Sequence, residues 1–415
     1  MLGATTGMAC QSATASGDRR AAMAAPDGEV SALLAEARAL AGYDDFGDLA
    51  FLEPLAMLLR CVRADGNLSQ SGEVAFRRNI LRCLVNRLWT QRDFSAHPEI
   101  FEEDVDDPIV IIGLPRSGTT KMQRLLSALP DEDVQRTPLW RMLYPAPFEG
   151  TRADDSTRRI AAVASIGFHS DGNADLAAAH HMAAQEPEED VLLFDATFDD
   201  WLWPSIYAPS VQYYEWVIQR PRMDNYRYLK RMYQYLQWQD GGRRGRRWIS
   251  KNVQHIASLE ELLRCFPKAT IVQCHRDPRV SIPSLAKLTH TLWSALVNDP
   301  DPHFVGACML DWWARATDSY LETRDRLGDE LQIIDLPYDR IKSDAAGAAI
   351  AVAEAAGIPM SAEKAALLRG WEAANPQHKH GRNDYSADQF GLDEEAIGER
   401  FATYIDRFVT QGRGA

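Results

Sequence analysis

The 415-residue sequence has few of the features that mark membrane, secreted or nucleic-acid-binding proteins. No apolar run reaches the roughly 18 residues that a membrane-spanning helix needs, which excludes such a helix. The six cysteines are scattered and form no Cys-x-x-Cys pair, which disfavours a disulfide framework or a structural metal and favours the reducing cytoplasm. Basic residues are outnumbered, with 45 Lys and Arg against 59 Asp and Glu. The resulting net charge of −14 argues against a nucleic-acid partner, because phosphate backbones select clustered basic side chains.

The composition is that of a globular protein with a sizeable core, at 46% hydrophobic and 25% charged residues. Residues 1–26 are rich in Ala, Gly, Ser and Thr and lack the apolar stretch of a secretory signal. We therefore expect a disordered tail there. The sequence leaves open whether translation starts at Met1, Met8 or Met23.

Apolar residues at helical spacing characterise residues 27–100. One such stripe recurs every four residues, at Phe76, Ile80, Leu84 and Leu88. We predict an N-terminal helical region here, serving as a packing layer or as a surface for a homodimer. Residues 101–415 are predicted to form an α/β domain, because buried-strand and helix patterns alternate in them.

A strand, a glycine loop and a helix follow one another after Pro108. Ile109–Ile112 is an unbroken β-branched run, which is typical of a strand buried on both faces of a parallel sheet. The loop from Gly113 to Gly118 comes next, and an apolar helical stripe begins at Met122. In this layout the backbone N–H groups at the start of a helix can hold a phosphate. A strand-to-helix turn that merely needs glycines is the simpler alternative.

The loop departs from the nucleotide-triphosphate P-loop at one critical position. Gly113 and Gly118 match the glycine frame, but Thr119 and Thr120 stand where Lys-Ser or Lys-Thr would be expected. The cation inside the loop is Arg116, and a lysine arrives two positions late. The loop can therefore cradle a phosphate but is badly equipped for a magnesium triphosphate.

A second strand-to-helix junction lies at residues 269–284. An apolar strand candidate ends on Arg276, and Asp277-Pro278 is a strong helix start, with a capping carboxylate and a proline at the first helical position. Ser284 falls on the second turn of that helix. Arg276 and Ser284 could converge on one anion, with the helix N-terminus behind them. Alternatively, the arginine covers the sheet edge and the serine is an ordinary helix residue.

Together the two junctions resemble the sulfotransferase superfamily, and most closely its large bacterial branch, which carries an N-terminal helical region. The likeness extends over roughly residues 30–408. It includes Trp248–His255, which is similar to the Lys-Ser-Pro-x-His segment of that branch but departs from it at Asn252 and Val253. It also includes Leu336–Ile341 and Tyr385–Leu392. The resemblance implies a P-loop-like parallel sheet flanked by helices.

The resemblance also implies a reaction and its donor, 3′-phosphoadenosine 5′-phosphosulfate. The sulfuryl group would move to a hydroxyl, or less commonly an amine, of a small acceptor. No metal is expected, because a sulfuryl group carries less charge than a phosphoryl group and needs a magnesium clamp less. Arg116 and Lys251 are suited to stabilising charge on the leaving phosphate. The predicted donor-binding residues are Arg116, Ser117, Gly118, Thr119, Thr120, Arg276 and Ser284, with Lys379 and Arg382 from a basic loop near the C-terminus.

The acceptor must lose a proton, so a general base is required. The resemblance places it in Pro187-Glu188-Glu189-Asp190 and points to Glu189. Glu188, His180 and His181 remain alternatives, since acids at a helix start are also favoured by the helix dipole alone.

An aromatic-rich segment follows the acidic residues and contains Trp201, Trp203 and Tyr207. It either packs in the core or lines the acceptor pocket. On the second interpretation the acceptor is a small hydrophobic alcohol or phenol. Three other functions are considered: a P-loop kinase or NTPase, a non-catalytic member of the fold, and a glutathione- or dinucleotide-dependent enzyme. The last of these would require a G-x-G-x-x-G loop after a strand, and the sequence contains none.

Overall fold

The computed structural model describes residues 27–148, 150, 154–165, 180–242, 246–328, 332–376 and 384–410. The expected tail at residues 1–26 and the predicted donor-binding residues Lys379 and Arg382 lie outside this range. Among the described helices, none combines the length and apolar character that crossing a membrane requires.

Five strands and a large number of helices make up the described part of the chain. The strands are β1 (Ile109–Gly113), β2 (Val134–Gln135), β3 (Arg247–Lys251), β4 (Thr270–His275) and β5 (Ile333–Pro337). The helices before β3 are α1 (Asp27–Ala41), α2 (Leu52–Asp65), α3 (Gln70–Ala96), α4 (Thr119–Leu126), α5 (Leu139–Leu143), α6 (Ser156–Ser165), α7 (Val191–Phe194), α8 (Val211–Val217) and α9 (Met223–Gln239). Those after β3 are α10 (Leu259–Cys265), α11 (Pro278–Ser294), α12 (Pro302–Leu327), α13 (Tyr338–Ser343), α14 (Ala345–Ala355), α15 (Ala362–Ala374), α16 (Glu394–Arg400) and α17 (Ala402–Tyr404).

The strands form one sheet in the order β2-β3-β1-β4-β5, and all neighbouring pairs are parallel. Strand β1 lies in the middle, with Ile111 opposite Lys251 on one side and Val272 on the other. The chain leaves β1 towards one edge of the sheet and later returns to build the other. In open α/β sheets, ligands bind outside the carboxyl ends of the strands at such a reversal point. The predicted α/β class with a parallel sheet is confirmed.

Alternate side chains of β1 enter two different hydrophobic cores, as expected for a strand covered on both faces. Ile109 and Ile111 pack with helices α4 and α14, while Val110 and Ile112 belong to a larger core on the opposite face. Every residue of β1 is buried. The prediction of a doubly covered strand from its unbroken apolar run is therefore correct.

The N-terminal helices share the larger core with the rest of the chain. The stripe predicted from Phe76 to Leu88 is buried along its whole length in α3. A buried ion pair at 2.7 Å joins Arg82 of α3 to Asp195 after α7, and Tyr207 also donates a hydrogen bond to this carboxylate. The helices at residues 27–96 therefore pack against the segment that follows the predicted base.

Candidate active site

The glycine loop makes a tight backbone curl between β1 and α4. Gly113 has a φ of +148°, and a side chain there would place its Cβ 2.5 Å from the carbonyl oxygen of Cys274. Arg116 and Gly118 also have positive φ, at +69° and +95°. Gly118 offers no side-chain cap to α4, so the N–H groups of the first helical turn are left for another acceptor. This is a cradle of amides suited to an anion.

Arg116, Arg276 and Ser284 are brought together at the mouth of this loop. Arg116 Nε donates to Ser284 Oγ at 3.2 Å, and Arg276 Nη1 donates to the carbonyl oxygen of Arg116 at 2.6 Å. The Arg276 guanidinium also lies 4.2 Å from the ring centre of Tyr338. Within the described ranges, neither arginine has a carboxylate at ion-pair distance. Burial and the neighbouring charge of Arg276 lower the pKa of Arg116. An anion bound between the two arginines would offset both the burial of the Arg116 charge and its repulsion by Arg276.

The start of α11 forms as the sequence predicts and positions Arg276 and Ser284. Asp277 is the N-cap, and its carboxylate accepts from the Arg279 N–H at 3.0 Å. Pro278 occupies the first helical position, and Ser284 is buried on the next turn.

The hydroxyl of Ser117, inside the glycine loop, is buried and has no hydrogen-bond partner in the described part of the chain. A buried hydroxyl without a partner is costly unless a ligand supplies one, and a phosphosulfate offers several acceptor oxygens.

Lys251 and Glu189 are in direct contact. Lys251 ends β3 and its side chain is fully buried. Its Nζ lies 2.5 Å from Glu189 Oε1 and 3.7 Å from Glu188 Oε1. The other oxygen of Glu189 accepts from the Val253 N–H at 3.4 Å. The two residues predicted to act on the leaving group and on the acceptor proton therefore form one ion pair.

Glu188 has a different environment from its neighbour. It is buried beside His180, whose Nε2 lies 3.3 Å from Glu188 Oε2. Burial alone would raise the pKa of Glu188, but His180, Lys251 and Arg124 outweigh it and lower the value to about 2. A carboxylate held so firmly in its ionised form is a weak proton acceptor near neutral pH. The backbone carbonyl of His181 accepts from Arg124 at 2.8 Å.

A cavity of about 140 Å³ joins the predicted base to the glycine loop. Its wall includes Pro115 of the loop together with His180, Glu188 and Glu189. Most of the remaining wall is aliphatic, and the other lining residues are Met182, Val191, Leu192, Leu202, Ser205, Ile206, Val253, Gln254, Leu285, Leu288, Thr289, Leu292, Met309 and Trp313.

The side chains of Trp201, Trp203 and Tyr207 do not line this cavity, so of the two interpretations of the aromatic segment, core packing is correct for these three residues and the aromatic wall is wrong. All three side chains are buried in the core. Trp203 stacks on Phe198 with ring centres 5.3 Å apart, and Tyr207 donates its hydroxyl proton to Asp195. The cavity is instead contacted by Leu202, Ser205 and Ile206, which project from the opposite side of the same segment.

Sequence reasoning missed the aliphatic wall that α11 contributes. The lining residues Leu285, Leu288, Thr289 and Leu292 recur at helical spacing immediately after Ser284. That stripe is visible in the sequence, but nothing in it distinguishes a cavity wall from a core face.

The lysine that follows the glycine loop, Lys121, lies 3.4 Å from Glu372 of α15. A P-loop kinase would need a lysine within the loop itself.

Comparison with known proteins agrees with this geometry. A profile of the Sulfotransferase family matches residues 108–362, more than half of the chain. Among solved structures, sulfotransferase STF1 from Mycobacterium tuberculosis H37Rv is 27% identical, with a TM-score of 0.77 over 90% of this chain and 98% of that one. Sulfotransferase STF9 from Mycobacterium avium is 26% identical, with a TM-score of 0.79 over 91% of this chain and 96% of that one. No curated protein matches significantly. The chain belongs to the sulfotransferase family and is a sulfotransferase enzyme.

Proposed function

We propose that the enzyme transfers a sulfuryl group from 3′-phosphoadenosine 5′-phosphosulfate to the hydroxyl of a small hydrophobic alcohol or phenol. The observation that carries this proposal is the apolar cavity whose wall runs from Pro115 of the glycine loop to Glu189. Small-molecule sites are concave, mostly apolar and equipped with a few placed polar groups, as this one is.

The donor would be held at its two anionic ends. The amides of the glycine loop, with Arg116, Ser117, Thr119 and Thr120, would bind the 5′-phosphosulfate. Arg276 and Ser284 would bind the 3′-phosphate, supported by the N-terminus of α11. The hydrogen bonds that link Arg276, Arg116 and Ser284 support this arrangement, because the residues proposed for the two anionic ends of the donor contact one another. Lys379 and Arg382 are proposed to close over the adenosine bisphosphate, as the family resemblance implies.

Glu189 would accept the acceptor's proton. As the hydroxyl oxygen attacks sulfur, the new oxygen–sulfur bond forms and the bond from sulfur to the bridging oxygen breaks. Adenosine 3′,5′-bisphosphate leaves with the bonding electrons, and the acceptor proton goes to a carboxylate oxygen of Glu189. Protonation removes the charge that holds Lys251 at 2.5 Å, so the lysine can turn its charge to the leaving phosphate. Proton uptake and leaving-group stabilisation are thereby linked through one ion pair.

No divalent metal is required in this proposal, since Arg116, Lys251 and the loop amides supply the positive charge. A cytoplasmic location is supported by the cysteines, since none of those that the structure describes forms a disulfide bond; they are Cys61, Cys83, Cys265, Cys274 and Cys308. The helices at residues 27–100 remain a proposed packing layer with a possible role in a homodimer.

The test is a titration with adenosine 3′,5′-bisphosphate, followed by a screen with labelled donor over phenols, sterols, lipids and sugars. We expect saturable bisphosphate binding and transfer of label to hydrophobic hydroxyl compounds. Binding of magnesium-ATP with release of phosphate, and no binding of the bisphosphate, would overturn the proposal in favour of a kinase or NTPase. Bisphosphate binding without transfer to any acceptor class would favour a non-catalytic member of the fold.

A further inference from the structure

One of the polar side chains that line the cavity has no hydrogen-bond partner among the residues that the structure describes. Glu188 and Glu189 bind His180 and Lys251. Ser205 donates to the carbonyl oxygen of Trp201 at 2.6 Å, and Thr289 donates to the sulfur of Met309 at 3.2 Å.

Gln254 lines the same cavity and is only 8% exposed, yet its Oε1 has no hydrogen-bond partner in the described part of the chain. Buried amide oxygens are almost always paired, and leaving one unpaired is costly. A hydroxyl group of a molecule bound in the cavity would supply the partner that this amide lacks.

Hydrogen bonds fix the backbone of Gln254 in a turn whose preceding residue contacts Glu189. Its N–H donates to the side-chain oxygen of Asn252 at 2.9 Å, which closes a tight turn. The preceding amide, that of Val253, donates to Glu189 at 3.4 Å. The following residue, His255, is fully buried and bonded to the hydroxyl of Tyr226 at 2.8 Å. The turn fixes Gln254 at a set position relative to Glu189, as a specificity-determining residue must be.

We propose that Gln254 binds a second hydroxyl group of the acceptor, so that the preferred substrates are hydrophobic diols rather than simple alcohols. This inference rests on the proposed function and specifies its substrate class. A hydroxyl can donate to Oε1 of Gln254 and accept from its Nε2 at the same time. The cavity volume of about 140 Å³ is close to that of the cavity of about 150 Å³ that holds benzene in an engineered protein core. The part of the acceptor inside the cavity is therefore about one six-membered ring carrying both hydroxyls.

The experiment compares cyclohexanol with the 1,2-, 1,3- and 1,4-cyclohexanediols, which share one carbon skeleton. Two readouts are used: kcat and KM with labelled donor, and calorimetric binding of each alcohol in the presence of adenosine 3′,5′-bisphosphate, where no transfer occurs. For the wild type we expect at least one diol to bind about 5- to 150-fold more tightly than cyclohexanol. Cyclohexanol leaves the buried amide of Gln254 unpaired, and an unpaired buried polar group costs an amount of free energy that corresponds to this ratio.

Gln254→Leu should reduce that preference to within about threefold, because the unpaired amide is gone. The change should appear mainly as a rise in the KM of the preferred diol. Thr289→Val is the matched control. Its hydroxyl lies in the same cavity wall but already has Met309 as a partner, so this variant should keep the preference of the wild type for the diol. If Gln254→Leu fails to fold, Gln254→Met provides a second apolar replacement of similar length.

The inference is overturned if the wild type does not distinguish any diol from cyclohexanol, or if the preference survives in Gln254→Leu. It is also overturned if the ring alcohols do not bind at all. These outcomes are distinct from failure of the proposed function, in which the enzyme would not bind adenosine 3′,5′-bisphosphate and would sulfonate no hydroxyl compound in the wider screen.

Discussion

Replacing Glu189 with glutamine tests the assignment of the base most directly. The substitution keeps the shape of the side chain and an oxygen that can accept from the Val253 N–H, but it removes the negative charge next to Lys251. Lys251 keeps one carboxylate neighbour, Glu188, at 3.7 Å. We therefore expect the protein to fold, with a loss of free energy of unfolding of about 1–3 kcal/mol from the weakened ion pair.

The expected loss of activity is far larger than the loss of stability. Removing a general base lowers turnover by about 10²–10⁴-fold, which corresponds to a rise in the activation barrier of roughly 3–5.5 kcal/mol. Affinity for adenosine 3′,5′-bisphosphate should be retained or increased, since within the described ranges Glu189 forms no hydrogen bond or ion pair with Arg116, Arg276 or Ser284, and the loss of its charge leaves Lys251 available to the phosphate. Initial rates with labelled donor measure the first effect, and calorimetric titration with adenosine 3′,5′-bisphosphate measures the second. The combination of lost turnover and retained binding identifies a chemical role.

Glu188→Gln is the matched control, because it changes the adjacent carboxylate in the same way. Glu188 has a pKa of about 2 and is a poor base, so this variant should lose less than about tenfold in turnover. Its stability should fall more than that of Glu189→Gln, since His180 and Lys251 both lose a counter-charge. Normal turnover in Glu189→Gln together with inactive Glu188→Gln or His180→Ala would refute the assignment and make the Glu188–His180 pair the base.

Three further predictions concern the donor site and the buried acids. Arg276→Ala should weaken the binding of adenosine 3′,5′-bisphosphate by about 1.5–3 kcal/mol, and that of adenosine 5′-monophosphate far less, as measured by calorimetry. Equal weakening of binding for both nucleotides would contradict the assignment of Arg276 to the 3′-phosphate. Transfer activity should persist in excess chelator, and a complete loss restored by magnesium would favour a kinase-like enzyme. Burial raises the pKa of Asp200 from 3.8 to about 6, so the stability that its protonated form contributes is present below pH 3.8 and is lost as the pH rises through 6. The stability of Asp200→Asn relative to the wild type, from urea unfolding, should therefore increase by roughly 1–3 kcal/mol between pH 4 and pH 7, and a flat difference would contradict the raised pKa.

Features that depend on consecutive residues could be predicted from the sequence. The run Ile109–Ile112 has no polar position and consists of β-branched residues, a pattern typical of a strand covered on both faces, as β1 is. The carboxylate of Asp277 accepts a hydrogen bond from an N–H group of the first turn of α11, and Pro278 has no N–H that needs a partner. These two consecutive residues therefore determine where the helix begins. The glycines at positions 113 and 118 signal a backbone curl, and both adopt positive φ.

The cavity beside Glu189 could not be predicted in the same way, because its wall combines segments that are far apart in the chain. The aromatic segment shows the difficulty. Its density of rings indicates burial, but it does not say which side chains face a cavity and which face the core. The backbone between Trp203 and Tyr207 forms a wider helical turn than an α-helix, and this shifts which side chains share a face. Trp203 and Tyr207 enter the core, while Ser205 and Ile206 reach the cavity.

The sheet explains why residues so distant in sequence make one site. The carboxyl ends of β1, β3, β4 and β5 lead directly into the glycine loop, Lys251, Arg276 and Tyr338, respectively. Because β1 and β4 are neighbours, the loop that would hold the phosphosulfate and the helix that would hold the 3′-phosphate begin side by side, and Arg116 reaches Ser284. Strand β3 lies on the other side of β1 and ends on Lys251, which pairs with Glu189. The cavity is walled from both directions, because Glu189 lies beside the end of β3 while Leu285, Leu288 and Leu292 project from α11, the helix that follows β4. Strand order thus brings the proposed anion sites, the Lys251–Glu189 pair and the cavity together around the end of β1.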